Sequence, residues 1–411
     1  MRHPSQEEQT IVPIGYKFDA YPEKRNIINI VPDVEYKKVR DIFILKQRLA
    51  SLFNRLANRQ IFSLIDSYNQ FYDFDLNRVS LLHFFNTISY GSTPWITTFE
   101  TFLPRLSCLL SCPSDRNLEL DFSALKSETK MHKAFQALSR DACRRIIAMS
   151  DCNANMQKKL LKEFSEYQEN IESKLIVMHP PQRVFVSKYA DKDLSLDDKI
   201  TFMFVGSSFF RKGGQEIIQT LKNLKDKYNY NLELTVVSSL NIDNYATKET
   251  PSDLEKVKHL IEHSDWINYF PQLPNHEVIE LMKKSHIGLL PTYADTYGYS
   301  VLEFQAAGCP VITTNVRALP EINNDRVGWT IAVPKNSLGE AIYTTKEDRY
   351  VISKLICERI EQVVHEIFAN RAIILEKSQN SISRIIEHHS IDRYAAKLRN
   401  IYLEAIGADK T

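Results

Sequence analysis

Two short apolar runs, Ile287 to Leu290 and Pro310 to Thr313, bracket the stretch GLLPTYADTYGYSVLEFQAAGCPVITT, Gly288 to Thr314. Between them lie an acid, a glycine turn, the start of a helix near Ser300 and a second acid. A strand, a turn, a helix and a second strand at this spacing make a parallel α/β unit, because parallel neighbours need a crossover connection. Open parallel sheets bind ligands outside the carboxyl ends of their strands, where such a turn lies and helix-start amides face anionic groups. The stretch therefore points to a phosphorylated ligand.

The same alternation extends upstream. A strand over Thr201 to Val205 leads into a glycine turn and a helix with Ile217, Leu221 and Leu224 on one face, then a strand over Leu232 to Val237. Strand, helix and strand follow again around Trp266, Val278 and Ile287, which completes a doubly wound pattern. Of eleven glycines only Gly15 and Gly91 fall in the first 200 residues, so close backbone approach to phosphate is expected in the second half. The polar break at Asp191 to Lys199 sets a boundary: residues 1–195 form a first domain, 196–375 a second, and 376–411 a C-terminal helical segment. Short runs at Ile27 to Ile30, Leu81 to Phe85, Trp95 to Thr98, Arg145 to Met149, Leu175 to Met178 and Arg183 to Val186 predict strands in the first domain.

Fifty-two basic against 51 acidic side chains leave a net charge of +1, which gives no footprint for nucleic acid. No apolar run approaches the roughly 18 residues of a membrane span, and MRHPSQEEQT lacks the basic-then-apolar order of a secretory leader. The six cysteines are scattered and read as reduced thiols, without a zinc pattern. The expectation is a cytoplasmic protein.

Leu45, Leu49, Leu52 and Leu56, with Ile42, make an amphipathic stripe accompanied by Lys38, Lys46, Arg48, Arg55 and Arg59. The simpler reading packs the leucines onto a sheet; the other gives a contact with anionic lipid at the inner face of a membrane, or with an acidic acceptor. Near the other end, Tyr394, Leu398, Ile401, Tyr402 and Ala405 form a stripe that needs a partner surface.

Two elements carry the chemistry. In FVGSSFFRKGGQEII, Phe204 to Ile218, a strand enters a turn at Gly206 and a helix starts at Gly213 and Gly214. Lys212 can extend an ammonium to a diphosphate, with Arg211 beside it. The element is neither a dinucleotide fingerprint nor a P-loop. In the second element Asp295 and Glu303 flank Gly298, and a carboxylate accepts paired hydroxyl hydrogen bonds, so one acid can read a ribose and the other a sugar. The alternative is that Asp295 caps the turn and Glu303 is a solvated helical acid.

Taken together, Gly206, Lys212, Gly213, Asp295, Gly298, Glu303, Gly308 and Pro310 resemble the motifs of the retaining glycosyltransferases of family 4, also called glycosyl transferases group 1. The family pattern G-R-x4-K-G followed by E-G-F-G-x4-E-A-x3-G-x-P-V is met by G-S-S-F-F-R-K-G and D-T-Y-G-Y-S-V-L-E-F-Q-A-A-G-C-P-V. The resemblance covers residues from about Lys199 to Val333 and only patches of the first half, whose opening IVPIGYKFDAYPEKRNIINIV supplies a single glycine, Gly15.

The resemblance implies a GT-B fold, two Rossmann-like domains facing across a cleft, and retaining transfer of a hexose-like sugar from a UDP- or GDP-linked donor. The acceptor would be a hydroxyl of a glycan, a lipid-linked or another molecule, in surface-glycan or other glycoconjugate synthesis. By position, Lys212 would bind the diphosphate, Glu303 the ribose, and Gly298, Tyr299 and Ser300 would present backbone groups to phosphate or sugar. Leu273, in the YFPQLPNHEV loop, would pack on the base. Asp295 stands at the first family glutamate, which approaches the transferred sugar, one methylene shorter; Ser207 stands at a phosphate-binding arginine. Glu100 stands where the family has a histidine beside the sugar, and would contact sugar hydroxyls, act as a base for the acceptor, or be a satisfied strand-end acid. Lys212, Asp295 and Glu100 are the candidate catalytic residues, and the terminal helix is similar to the segment that crosses back onto the first domain in this fold. No cofactor or metal is implied. Those three departures leave open a noncatalytic sugar- or nucleotide-binding subunit, and the architecture also admits a transferase using sugar phosphates.

Overall fold

The computed structural model describes residues 12–59, 61, 64–110, 121–242 and 245–407. The chain divides into two compact units, one holding the described residues up to Pro181 together with those from Ile391 onward, the other holding Gln182–Ser390.

The strands of the first unit are β1 (Val12–Tyr16), β2 (Val34–Lys38), β3 (Gln70–Phe71), β4 (Leu81–Phe85), β5 (Ile88–Ser89), β6 (Trp95–Phe99), β7 (Cys143–Ala148) and β8 (Leu175–Val177). Six of them form a parallel sheet in the order β2-β1-β4-β6-β7-β8, and β3 pairs with β5. Leu81–Phe85 and Trp95–Phe99 are buried throughout, the mark of a sheet covered on both faces. One covering element is the helix Ile391–Gly407. Its Tyr394, Leu398, Ile401, Tyr402 and Ala405 join Ile14, Leu81, Ile96 and Ile147 in one core cluster, which supplies the surface that stripe requires. His83 is fully buried there between Tyr402 Oη at 2.8 Å and Thr98 Oγ1 at 2.9 Å, and burial lowers its pKa to about 3. It is a packed histidine that stays neutral.

The second unit contains β9 (Ile200–Val205), β10 (Leu232–Val237), β11 (Ile267–Phe270), β12 (Ile287–Leu290), β13 (Val311–Thr314) and β14 (Trp329–Ile331). All pairs are parallel, in the order β11-β10-β9-β12-β13-β14. With β9 as the first strand this is the order 3-2-1-4-5-6 of the doubly wound fold, and the winding reverses between β9 and β12.

Several sequence expectations are corrected. Ile27–Ile30 is not a strand: Ile27 closes the helix Tyr21–Asn26, and the apolar run turns into the core through Ile27 and Ile28. Arg183–Val186 lies outside any sheet, tied to the Ala306 carbonyl through the amides of Phe185 and Val186. The units divide at Pro181/Gln182 and not at 195/196. The polar segment after Asp191 is anchored within the second unit because Lys192 is buried and donates to the Ala307 carbonyl at 2.7 Å. The segment 376–411 is split: the helix Ala372–His388 stays in the second unit, where Ser378 and Ser381 donate to the carbonyls of Gly308 and Val327, and the helix from Ile391 joins the first. The Leu45–Leu56 stripe forms a helix, Ile42–Leu56, but its leucines face outward and are not packed on a sheet.

Candidate functional site

The two motif loops leave neighbouring strands on the same sheet edge. β9 and β12 pair in register, Phe202 opposite Ile287 and Phe204 opposite Leu289, so the turns after Val205 and Leu290 emerge side by side where the winding reverses. Each turn runs into a helix, Gly214–Tyr228 and Tyr299–Ala306, whose first amides point back toward the strand ends. This is where an open α/β sheet takes its ligand.

Lys212 and Asp295 meet across the two loops with Nζ to Oδ2 at 3.4 Å, both mostly buried. Gly206 makes room for the lysine: a Cβ there would stand 2.4 Å from Lys212 Cδ and 3.0 Å from Nζ, so the aliphatic stem lies directly on the backbone. Gly213 has φ +80°, and a Cβ would stand 2.4 Å from the Pro291 carbonyl oxygen. A side chain at this position would push the two loops apart.

The loops are also laced by hydrogen bonds. The Arg211 carbonyl accepts from the Tyr293 amide at 2.8 Å and Thr292 Oγ1 at 3.1 Å. Behind them, the buried Glu216 carboxyl accepts from Tyr293 Oη at 2.7 Å and Ser353 Oγ at 2.8 Å, and burial raises its pKa. Glu216, Thr292 and Tyr293 lie inside the two motifs, yet sequence reasoning gave them no role. Only the pairing of the loops reveals that they hold Lys212 opposite Asp295.

Asp295 caps the turn, as the simpler of its two readings expects. Its Oδ1 accepts from the Gly298 amide at 3.0 Å and the Tyr297 amide at 3.3 Å, while Oδ2 faces Lys212. Gly298, whose amide donates to Asp295, has a φ of +90° that makes the turn starting the helix. Glu303 is 8% exposed, so it is not a solvated helical acid. The Ser300 Oγ is buried beside the helix start with no hydrogen-bond partner, an orphaned hydroxyl of the kind a ligand satisfies.

Ser207 is exposed at the tip of the first loop, its carbonyl held by Ser239 Oγ at 2.9 Å. Arg211 Nη2 donates to Ser208 Oγ at 2.7 Å and its guanidinium lies 5.6 Å from the Tyr245 ring centre, a fixed cation at the rim of the loop. Leu273 is half-buried and follows β11, on the same sheet edge but two strands away from β9.

Glu100 belongs to the first unit, at the end of β6. Its carboxylate pairs with Arg105 Nη1 and accepts from Asn86 Nδ2 at 3.3 Å, and its amide donates to Asn86 Oδ1 at 3.2 Å. The structure gives it the partners of a satisfied strand-end acid. Glu23, on the helix that follows β1, is different: its Oε2 is buried without a partner. Burial, with repulsion from Glu100 and Asp19, raises its pKa to about 7. A carboxyl whose folded pKa exceeds its unfolded value stabilises below the unfolded pKa, and that contribution is lost as pH rises through about 7. Glu23→Gln is therefore expected to remove a stability loss of up to about 3 kcal/mol between acidic pH and pH 8, read by denaturant unfolding at both.

Residues 187–361 match the family model described as "Glycosyl transferases group 1". This segment belongs to the glycosyl transferases group 1 family. Over 144 residues the chain is 28% identical to the capsular polysaccharide biosynthesis glycosyltransferase CapM of Staphylococcus aureus, covering 33% of each protein. The matched parts of the first curated relatives span 33% to 50% of their length. A glycosyltransferase from Rickettsia africae superposes with a TM-score of 0.55 at 14% identity, covering 97% of this chain and 99% of that one. Anabaena Alr3699/HepE in complex with UDP does so at 0.55 and 8% identity, covering 95% and 98%. At these identities the likeness carries the fold, which is GT-B.

Proposed function

We propose that this glycosyl transferases group 1 protein transfers a hexose-like sugar from a nucleoside diphosphate donor to an acceptor hydroxyl, with retention at the anomeric carbon. The observation that carries the reading is the meeting of Lys212 and Asp295 at the winding reversal of the second sheet, with the buried Glu303 on the adjoining helix. An ammonium suits the diphosphate, whose charge grows as the bond from the anomeric carbon to the phosphate oxygen breaks. A buried carboxylate on the neighbouring helix suits paired ribose hydroxyls. The UDP in the Anabaena relative supports a uridine donor, and GDP is the other candidate.

In this reading the acceptor oxygen bonds to the anomeric carbon on the face the leaving group vacates, and its proton passes to the departing phosphate oxygen. Lys212 supplies the positive charge, so no divalent ion is needed. Glu100, already paired with Arg105, has a positioning role at the edge of the first sheet and not that of a base. The acceptor is a glycan or lipid-linked hydroxyl, and the protein works on the cytoplasmic side of a membrane. Among the described residues no helix is long and apolar enough to cross one.

Incubation with UDP- and GDP-hexoses and a panel of hydroxyl acceptors, followed by proton NMR of the product, tests this. Release of nucleoside diphosphate and an anomeric coupling matching the donor are expected. Binding without turnover would instead favour a noncatalytic subunit, and an inverted coupling would overturn retention. Glu303→Gln is expected to weaken the nucleotide sugar by about tenfold and leave free-sugar affinity unchanged, because a neutral amide loses the charge-assisted hydroxyl contacts.

A further inference from the structure

The helix Ile42–Leu56 is built the wrong way round for a core element. Its one buried residue is Gln47, and the half-buried Phe43, Ala50 and Asn54 share that side at three- and four-residue spacing. The apolar stripe lies on the opposite side, with Leu45 61%, Leu49 48%, Leu52 51% and Leu56 74% exposed. Removing such a row from water is the largest gain available to this surface.

Charge says what covers it. IFILKQRLASLFNRL contains no acid, and on a helical projection Lys46 borders the leucines on one side and Arg48 and Arg55 on the other. The acid at the helix start is already used: Asp41 caps the Ile44 amide at 2.8 Å and pairs with the buried Lys17 at 3.0 Å. Beside the first turn, Lys38, Arg40 and Arg48 line an open groove of about 560 Å³ floored by Ile44 and Leu45. Of these cations Lys38 has an ion pair, with Asp19 at 3.2 Å. A second copy laid on this stripe would bring two acid-free basic borders together, whereas an anionic lipid surface meets both the leucines and the cations.

We infer that this helix docks the protein on an anionic bilayer, its leucines entering the acyl boundary while Lys46, Arg48 and Arg55 sit at headgroup level and the Lys38/Arg40/Arg48 groove takes a lipid phosphate. The surface is independent of the donor chemistry proposed above.

The test is flotation of the full chain with phosphatidylcholine vesicles, with or without phosphatidylglycerol, alongside light scattering of the protein alone. The wild type is expected to float with the phosphatidylglycerol vesicles, bind pure phosphatidylcholine at least about tenfold more weakly, and detach at high salt. Leu49→Ser/Leu52→Ser and Arg48→Glu/Arg55→Glu should each cut binding by about tenfold or more. Both pairs are exposed, so the thermal transition should not move. Failure of the wild type to bind the anionic vesicles, or binding by both variants as tight as that of the wild type, would overturn the proposal. So would self-association that the leucine pair abolishes without any vesicle binding, which would make the stripe a seam between copies.

Discussion

Lys212→Ala is expected to reduce kcat/KM for the nucleotide sugar by about 10²- to 10³-fold, the cost of losing one preorganised charge at a developing anion. Both kcat and donor affinity should fall, because in the proposed reaction the ammonium would face the diphosphate before and during bond breaking. Stability should change little. The partner Asp295 keeps its two turn amides when the lysine is removed. Initial-rate kinetics together with a melting curve separate the effects. A large fall in melting temperature with a small fall in kcat/KM would make Lys212 a structural lysine.

Gly213→Ala is expected to act on the same loop from the backbone. The substitution puts a Cβ into a left-handed conformation and within 2.4 Å of the Pro291 carbonyl oxygen, which no rotamer change relieves. A loss of about 2–4 kcal/mol in unfolding free energy is expected, with turnover falling as well because Lys212 is the adjacent residue. Denaturant unfolding measures the first effect. By contrast, the nearest atoms that Gly206→Ala meets are those of the flexible Lys212 side chain, so it should keep stability while weakening the donor.

The sequence shows the second unit more clearly than the first for physical reasons. Ile287–Leu290 is a continuous apolar run and Val311–Thr314 opens as one, because strands buried on both faces have no solvent side to alternate, and their turns carry the glycines that close loop contacts require. The first two strands of the first unit have no such signature: β1 reads VPIGY and β2 reads VEYKK, and neither resembles a strand until its pairing is seen. The short run Ile27–Ile30 shows the opposite failure, since four apolar residues fit a strand or a helix end equally well.

At the site, spacing alone brings Lys212, Asp295 and Glu303 to one sheet edge. The carbonyl of Arg211, held by Thr292 and Tyr293, and the buried Glu216 behind them are products of loops far apart in the chain, so no local pattern marks them. Periodicity likewise put the leucines of Ile42–Leu56 on one face and could not say that the protein presents Gln47 inward in their place. Glu100 was singled out by its position in a resemblance, and only the neighbouring Arg105 and Asn86 show that its carboxylate is already engaged.

The most direct test of the donor site is calorimetric titration of the full chain with UDP-, GDP- and ADP-linked hexoses, repeated on Lys212→Ala and Glu303→Gln. The account predicts saturable one-to-one binding of at least one nucleoside diphosphate sugar, weakened by about tenfold or more in each variant. No binding of any nucleotide sugar, or unchanged binding in both variants, would contradict it.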